Sequence, residues 1–185
     1  MKIFAFVISM LLLTSCTQTN MNSDGANNSV VKQVGEVIDC KDISQEKLWT
    51  GGTSLDCLDQ SEGAQLGALR GPMIINVWGS WCGPCVEEIP YFVSFYEKAK
   101  GVVQLVGVNV EEANAKDAQK FVVSNGITWP NLYDSDGRSR QYFGLGVPVT
   151  WFIKPNGDVA YKHIGVITSE SQLIELTQQH LGITV

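Results

Sequence analysis

Apolar and polar positions in this chain are spaced differently from one segment to the next. Met73-Ile-Ile-Asn-Val-Trp is short and almost continuously apolar, the pattern of a strand buried on both faces. Beyond it, Val86, Ile89, Val93 and Tyr96 fall close to helical spacing and predict a helix over 83–100. Further strands are expected at 102–110, 149–153 and 158–164, and further helices at 114–125 and 169–181. The last helix has N-capping residues at Thr168-Ser-Glu-Ser and a glycine stop at Gly182. Lys154-Pro-Asn-Gly-Asp between two strand runs has the residues of a hairpin turn. Alternating elements closed by a hairpin and a helix predict one α/β domain over 34–185, a central mixed β-sheet flanked by helices. Residues 34–71 read as an irregular N-terminal extension with room for two short strands.

The N-terminal pattern is of another kind. Lys2 precedes an apolar run from Ile3 to Leu13, too short to cross a bilayer and the length of a signal-peptide core. It ends in Leu13-Thr-Ser-Cys16, which resembles a bacterial lipobox. That resemblance implies cleavage before Cys16 and diacylglycerol on its sulfur, with 1–15 a signal peptide and 16–33 a lipidated, flexible tether. An ordinary secretory signal with an incidental cysteine is the alternative. Both place the mature domain outside the cytoplasm, and the first puts it on the extracytoplasmic face of a bacterial membrane.

Composition narrows the functional classes. The 185 residues are 44% apolar and 17% charged, a globular balance, with a net charge of −6. No Lys/Arg cluster exists, which argues against nucleic acid as a partner. Negative charge gives no attraction to anionic lipid, so membrane association rests on the Cys16 anchor.

Five cysteines are present: Cys16, Cys40, Cys57, Cys82 and Cys85. In an oxidising compartment Cys40 and Cys57 form a natural pair, a structural disulfide or alternatively a second redox relay. Cys82-Gly-Pro-Cys85 lies between a predicted strand and a predicted helix, the context in which CxxC reads as a redox centre. Zinc would require a second pair of ligands, and His163 and His180 are isolated and far along the chain, so no metal or other cofactor is expected.

Several pieces then fit together: Arg70-Gly71, Asn76-Val-Trp-Gly-Ser-Trp-Cys-Gly-Pro-Cys85, Glu88-Ile-Pro90, Gly107-Val-Asn-Val, Gly146-Val-Pro148 and Pro155-Asn-Gly-Asp. With them the chain resembles thioredoxin-fold proteins, and more closely the TlpA/ResA-like branch of extracytoplasmic thiol–disulfide oxidoreductases, from about Leu66 to the C-terminus. The region from about Glu111 to Pro130 occupies the place of that branch's helix-and-strand insertion. Thioredoxins carry a buried Asp where this chain has Asn76; the TlpA/ResA-like branch has an acid where this chain has Glu88. The resemblance also implies a cis peptide before Pro148, beside the cysteines, leaving the Val147 backbone to pair with an extended partner segment. On the sequence alone Gly-Val-Pro is a loop before a strand.

The chemistry expected of these residues is disulfide exchange. Cys82 at a helix N-terminus faces unpaired N–H groups that favour a thiolate. Cys82 is the attacking sulfur, Trp81 a partner-facing apolar surface, and Cys85 the resolving thiol. Glu88, one turn on, is either a partly buried acceptor of the Cys85 proton or an exposed acid complementing the helix dipole. The partners expected are protein disulfides or dithiols outside the cytoplasm and a membrane redox donor or acceptor. CGPC matches the thioredoxin centre, at about −270 mV, and favours a reductant, for example in cytochrome c biogenesis. Alternatives are a disulfide-forming oxidant of the same fold, a thiol-based metal-delivery module, and a peroxidase, whose reactive cysteine has a different setting.

Overall fold

A computed structural model describes residues 34–185; the expected signal peptide, the lipidation expected at Cys16 and the expected tether lie outside the described residues. The framework is a seven-stranded mixed sheet in the order β2-β1-β5-β4-β3-β6-β7. Its centre is β3 (Met73–Trp78), parallel to β4 (Gln104–Val110) and antiparallel to β6 (Val149–Ile153). β5 (Asn131–Asp134) continues the parallel set beyond β4. The hairpin β1 (Ser54–Cys57) and β2 (Ala64–Gln65) extends that side, and β7 (Val159–Ile164) closes the other.

Every residue of β3 is buried, because the strand is covered on both faces. Met73, Ile75 and Val77 enter one core layer with Val106, Val108, Trp151 and Ile153. Ile74 and Trp78 enter the other, with the helices α1 (Gly83–Ala99) and α4 (Glu170–Leu181). The helix α2 (Ala115–Ser124) packs Ala118 and Val122 into this second layer. The first layer is covered by the N-terminal extension and the single turn α3 (Arg140–Phe143). Its bridge is a disulfide between Cys40 and Cys57, both buried, which fastens the extension to the end of β1. Gly107 in β4 is required by space: a Cβ there would stand 1.8 Å from Asn131 Oδ1, the acceptor of the Trp78 indole N–H.

The ends of the helices follow local chemistry. Cys82, Asn114 and Ser169 accept hydrogen bonds at the starts of α1, α2 and α4, and Gly182 ends α4 at φ 70°. The observed bounds lie within two residues of those expected for these three helices and for β3, β4, β6 and β7. The buried stripe of α1 differs from expectation. It runs through Cys85, Glu88, Ile89, Phe92, Phe95 and Ala99, while Val86, Val93 and Tyr96 are only half-buried. A carboxylate inside the stripe hides it from a count of apolar positions. β5 and α3 were not foreshadowed by the pattern, since four residues are too few to show a period. Among the described residues no helix is long and apolar enough to cross a membrane.

Candidate active site

The site lies at the carboxyl end of β3, where the chain turns through Gly79-Ser-Trp81 into α1. Cys82 is the N-cap, and its sulfur accepts the Cys85 N–H at 3.2 Å. Pro84 occupies the first helical turn, where its missing N–H costs no helical bond. Cys82 and Cys85 are joined in a disulfide, S–S 2.05 Å, with 5.2 Å between their Cα atoms. Cys82 is 6% exposed and Cys85 1%, so the first sulfur is the one an incoming group meets.

Glu112 anchors the turn, a residue the sequence pattern had passed over. Its Oε1 accepts the Ser80 N–H at 2.5 Å and an Asn109 side-chain N–H at 3.1 Å; its Oε2 accepts the Ser80 hydroxyl at 3.0 Å. A charged acceptor on a backbone N–H is a strong hydrogen bond, and it fixes the turn immediately before the cysteines. The preceding Glu111 has φ 55°, the left-handed region, and pairs with Arg140 of α3. An acid after a strand looks like an ordinary loop residue, so nothing in the pattern singled Glu112 out.

Beside the disulfide the surface mixes exposed apolar side chains with the Glu111–Arg140 ion pair and Ser139. Trp81 is 56% exposed with its indole N–H donated to the Val110 carbonyl, and Leu145 is 87% exposed. Together with Val77, Val110, Phe143 and Val147 they line a cleft beside the turn. The Val147–Pro148 peptide is cis, and Val147 packs against the core cluster containing both active-site cysteines. Among the described residues no hydrogen bond involves the Val147 backbone, whereas the Pro148 carbonyl accepts from Gly165 N–H at 3.1 Å. The structure thus brings Trp81, Cys82, Cys85 and Val147 to one place and leaves Val147 an open backbone.

Glu88 lies one turn beyond Cys85 with no exposed surface, so it is not the solvated first-turn acid that was one alternative. Glu87 beside it is exposed. Asn76 of β3 donates its side-chain amide to Glu88 Oε1 at 2.7 Å, and Ile167 N–H donates to Oε2 at 2.8 Å. Burial raises the Glu88 pKa to about 7, although the Ile167 and Asn76 hydrogen bonds pull the other way. A carboxyl with that affinity can take a proton from a neighbouring thiol near neutral pH and return it.

His163 and His180 lie elsewhere. His163 Nε2 is 3.4 Å from the Val166 carbonyl, and His180 stacks on Tyr161 with ring centroids 4.0 Å apart.

A family model described as the AhpC/TSA family matches residues 53–162. The sporulation thiol-disulfide oxidoreductase A of Bacillus subtilis is 34% identical over 110 residues, covering 57% of this chain and 66% of that protein. The thiol-disulfide oxidoreductase ResA of Oceanobacillus iheyensis is 29% identical over 166 residues, covering 86% and 79%. Thus the chain spans just under two thirds of the first relative's length and about four fifths of the second's. Among solved structures, StoA from Bacillus subtilis superposes with a TM-score of 0.56 at 27% identity, covering 68% of this chain and 95% of that one. DsbF from MTB gives 0.61 at 25% identity, covering 69% and 93%.

Proposed function

We propose that this chain, which belongs to the AhpC/TSA family and has a thioredoxin-like fold, is a thiol–disulfide oxidoreductase acting through Cys82 and Cys85. The observation that carries this reading is the Cys82–Cys85 disulfide at the start of α1, one turn before a wholly buried carboxyl. In the reduced protein the Cys82 thiolate, favoured by the helix N-terminus, attacks one sulfur of a partner's disulfide. A mixed disulfide forms and the other partner sulfur leaves as a thiolate. Glu88 takes the Cys85 proton, and the Cys85 thiolate attacks the Cys82 sulfur. The Cys82–Cys85 bond closes, the second partner sulfur leaves, and two electrons have passed to the partner.

The finer reading is a reductant, lipid-anchored through Cys16 on the extracytoplasmic face of a bacterial membrane. Its partners are disulfides of proteins outside the cytoplasm, for example in cytochrome c maturation, and a membrane dithiol returns it to the reduced state. The CGPC sequence, that of the thioredoxin centre on the reducing side, supports that direction. The Val147 backbone is the edge along which an extended partner segment pairs, with Trp81 covering it. Trapping partners on a Cys85→Ala variant and measuring the equilibrium potential of the couple test the reading together. Trapped extracytoplasmic proteins with a potential well below that of their disulfides support it. A potential in the range of strong oxidants, about −120 mV, reverses the direction. Stoichiometric metal binding without disulfide reduction replaces it with the metal-delivery reading.

A further inference from the structure

Disulfide exchange brings a partner sulfur into contact with the Cys82 sulfur. The residues flanking the partner's cysteine are then held close to the site, since successive Cα atoms are only about 3.8 Å apart. The cleft lined by Trp81, Leu145 and Val147 is what they meet. Trp81 adjoins Cys82 in sequence, and Val147 packs against the core cluster that contains Cys82.

Two exposed residues of this cleft are held very differently. Trp81 is fixed: its indole N–H is donated to the Val110 carbonyl, and a Cβ on Gly79 would stand 2.6 Å from its Nε1. Leu145 packs with neither core layer and is 87% exposed. It sits between Gly144, at φ 90°, and Gly146, and around each glycine nothing beyond its chain neighbours lies within 4 Å of where a Cβ would stand. The tip thus carries a large apolar side chain into open space, where it stabilises the free domain little. A lone exposed leucine is ordinary, but this one shares a cleft with an exposed tryptophan and with Val77, Val110 and Phe143, which are buried. The charged groups of the cleft are already matched, Arg140 with Glu111. The Ser139 N–H is donated to Asp134. A charged side chain entering here finds no unpaired opposite charge, whereas an apolar one finds apolar surface to cover.

We propose that Leu145, together with Trp81, selects partner disulfides whose cysteine is flanked by a large apolar side chain, which the cleft receives as Cys82 attacks. Leu145 takes no part in the electron transfer; it touches the side chain beside the reacting sulfur. The inference rests on the reading of Cys82 as the attacking sulfur and adds the class of substrate that sulfur prefers.

The test follows single-turnover oxidation of the protein, reduced at Cys82 and Cys85, by symmetric disulfides of the peptides Gly-X-Cys-X-Gly, where X is Leu, Ser, Lys or Glu. Hydroxyethyl disulfide, which has no flanking residue, is run beside them. In each reaction two electrons pass from the Cys82/Cys85 dithiol to the disulfide, which leaves as two thiols. Each peptide's rate is divided by its rate with glutathione, which removes differences in the leaving sulfur itself. The Leu peptide should react about tenfold faster than the Ser peptide, with the Lys and Glu peptides no faster than Ser. Leu145→Ser should bring the Leu-to-Ser ratio below about threefold, and Leu145→Met should keep it. A change that merely disturbed the turn would slow hydroxyethyl disulfide as much as the Leu peptide and leave the ratio standing. Equal rates across the series, a ratio that survives in Leu145→Ser, or a preference for the Lys or Glu peptide overturns the proposal, the last by giving the cleft to the Glu111–Arg140 pair. Reaction with none of these disulfides, hydroxyethyl disulfide included, would instead remove the exchange reading on which the proposal rests.

Discussion

At the scale of single residues, the proposed exchange centres on Glu88, whose side chain has no exposed surface. Glu88→Gln keeps the shape but cannot accept a proton. Mixed-disulfide formation by Cys82 should proceed nearly unchanged, while resolution by Cys85 should slow about 10- to 100-fold and lose its titration near neutrality. Quenched-flow trapping of the mixed disulfide separates the two steps. The same burial affects folding stability. An acid whose pKa rises from 4.5 to about 7 on folding binds more protons in the native state, so stability falls as pH climbs through that window. The loss should reach on the order of 3 kcal/mol by pH 8, be absent at pH 4, and disappear in Glu88→Gln; urea unfolding of the disulfide form at both pH values checks it. A variant with the parent's resolution rate at every pH would return Glu88 to a packing role. What the sequence showed of this residue was its distance from Cys85. It did not show the two donors, because Asn76 and Ile167 come from remote parts of the chain and meet it only when the sheet and α1 pack.

At the scale of elements, the site depends on how β4 ends. Glu112 folds back from that end to grip Ser80, while Glu111 reaches the other way to Arg140 of α3. Glu112→Ala leaves the Ser80 N–H and the Asn109 amide without their charged acceptor. It should cost roughly 1.5–3 kcal/mol and speed hydrogen exchange at the Ser80 amide, with amides of the β6–β7 ladder little changed. Unchanged exchange at Ser80 would show that the turn holds itself. The long or strongly patterned elements were legible beforehand: β3 and β6 by their nearly continuous apolar runs, α4 by its serine cap and glycine stop. β5 was not, because Asn131 and Asp134 at its ends are polar residues whose partners lie on other elements. The α1 stripe was read one column away because it contains a buried carboxyl, Glu88. Local spacing reveals elements that bury apolar surface, and it conceals those that bury a polar group among them.

At the scale of the whole molecule, the two disulfides sit on different elements: Cys40–Cys57 ties the N-terminal extension to β1, and Cys82–Cys85 lies at the start of α1 after β3. Cys40 and Cys57 are buried and should stay joined under mild reduction that opens Cys82–Cys85, as nonreducing peptide mapping would show. Replacing both with Ser should lower stability by roughly 2–4 kcal/mol and leave the potential of the active couple unchanged. A large change in potential would point instead to a relay between the pairs. The membrane anchor belongs to this scale too. Under the lipoprotein reading, Cys16→Ser should abolish fatty-acid labelling and detergent partitioning while the domain keeps its redox activity; equal labelling of the variant would sink that reading.

The buried bridge also has a mechanical consequence. Tension applied to the chain ahead of Val34 first meets two backbone hydrogen bonds, from Gly35 to Val123 and from Glu36 to Ile127. Those yield easily, and the pull then arrives at Cys40. From there it crosses the sulfurs to Cys57, bypassing residues 41–56, and enters a strand laddered to β2 and β5. The intervening loop stays slack, and β3, which leads into Cys82 and Cys85, is separated from β1 by β5 and β4, off the direct line of force. A domain pulled from the N-terminal side of Val34 can thus give up a few residues of slack and keep the turn that carries Cys82 and Cys85 in place.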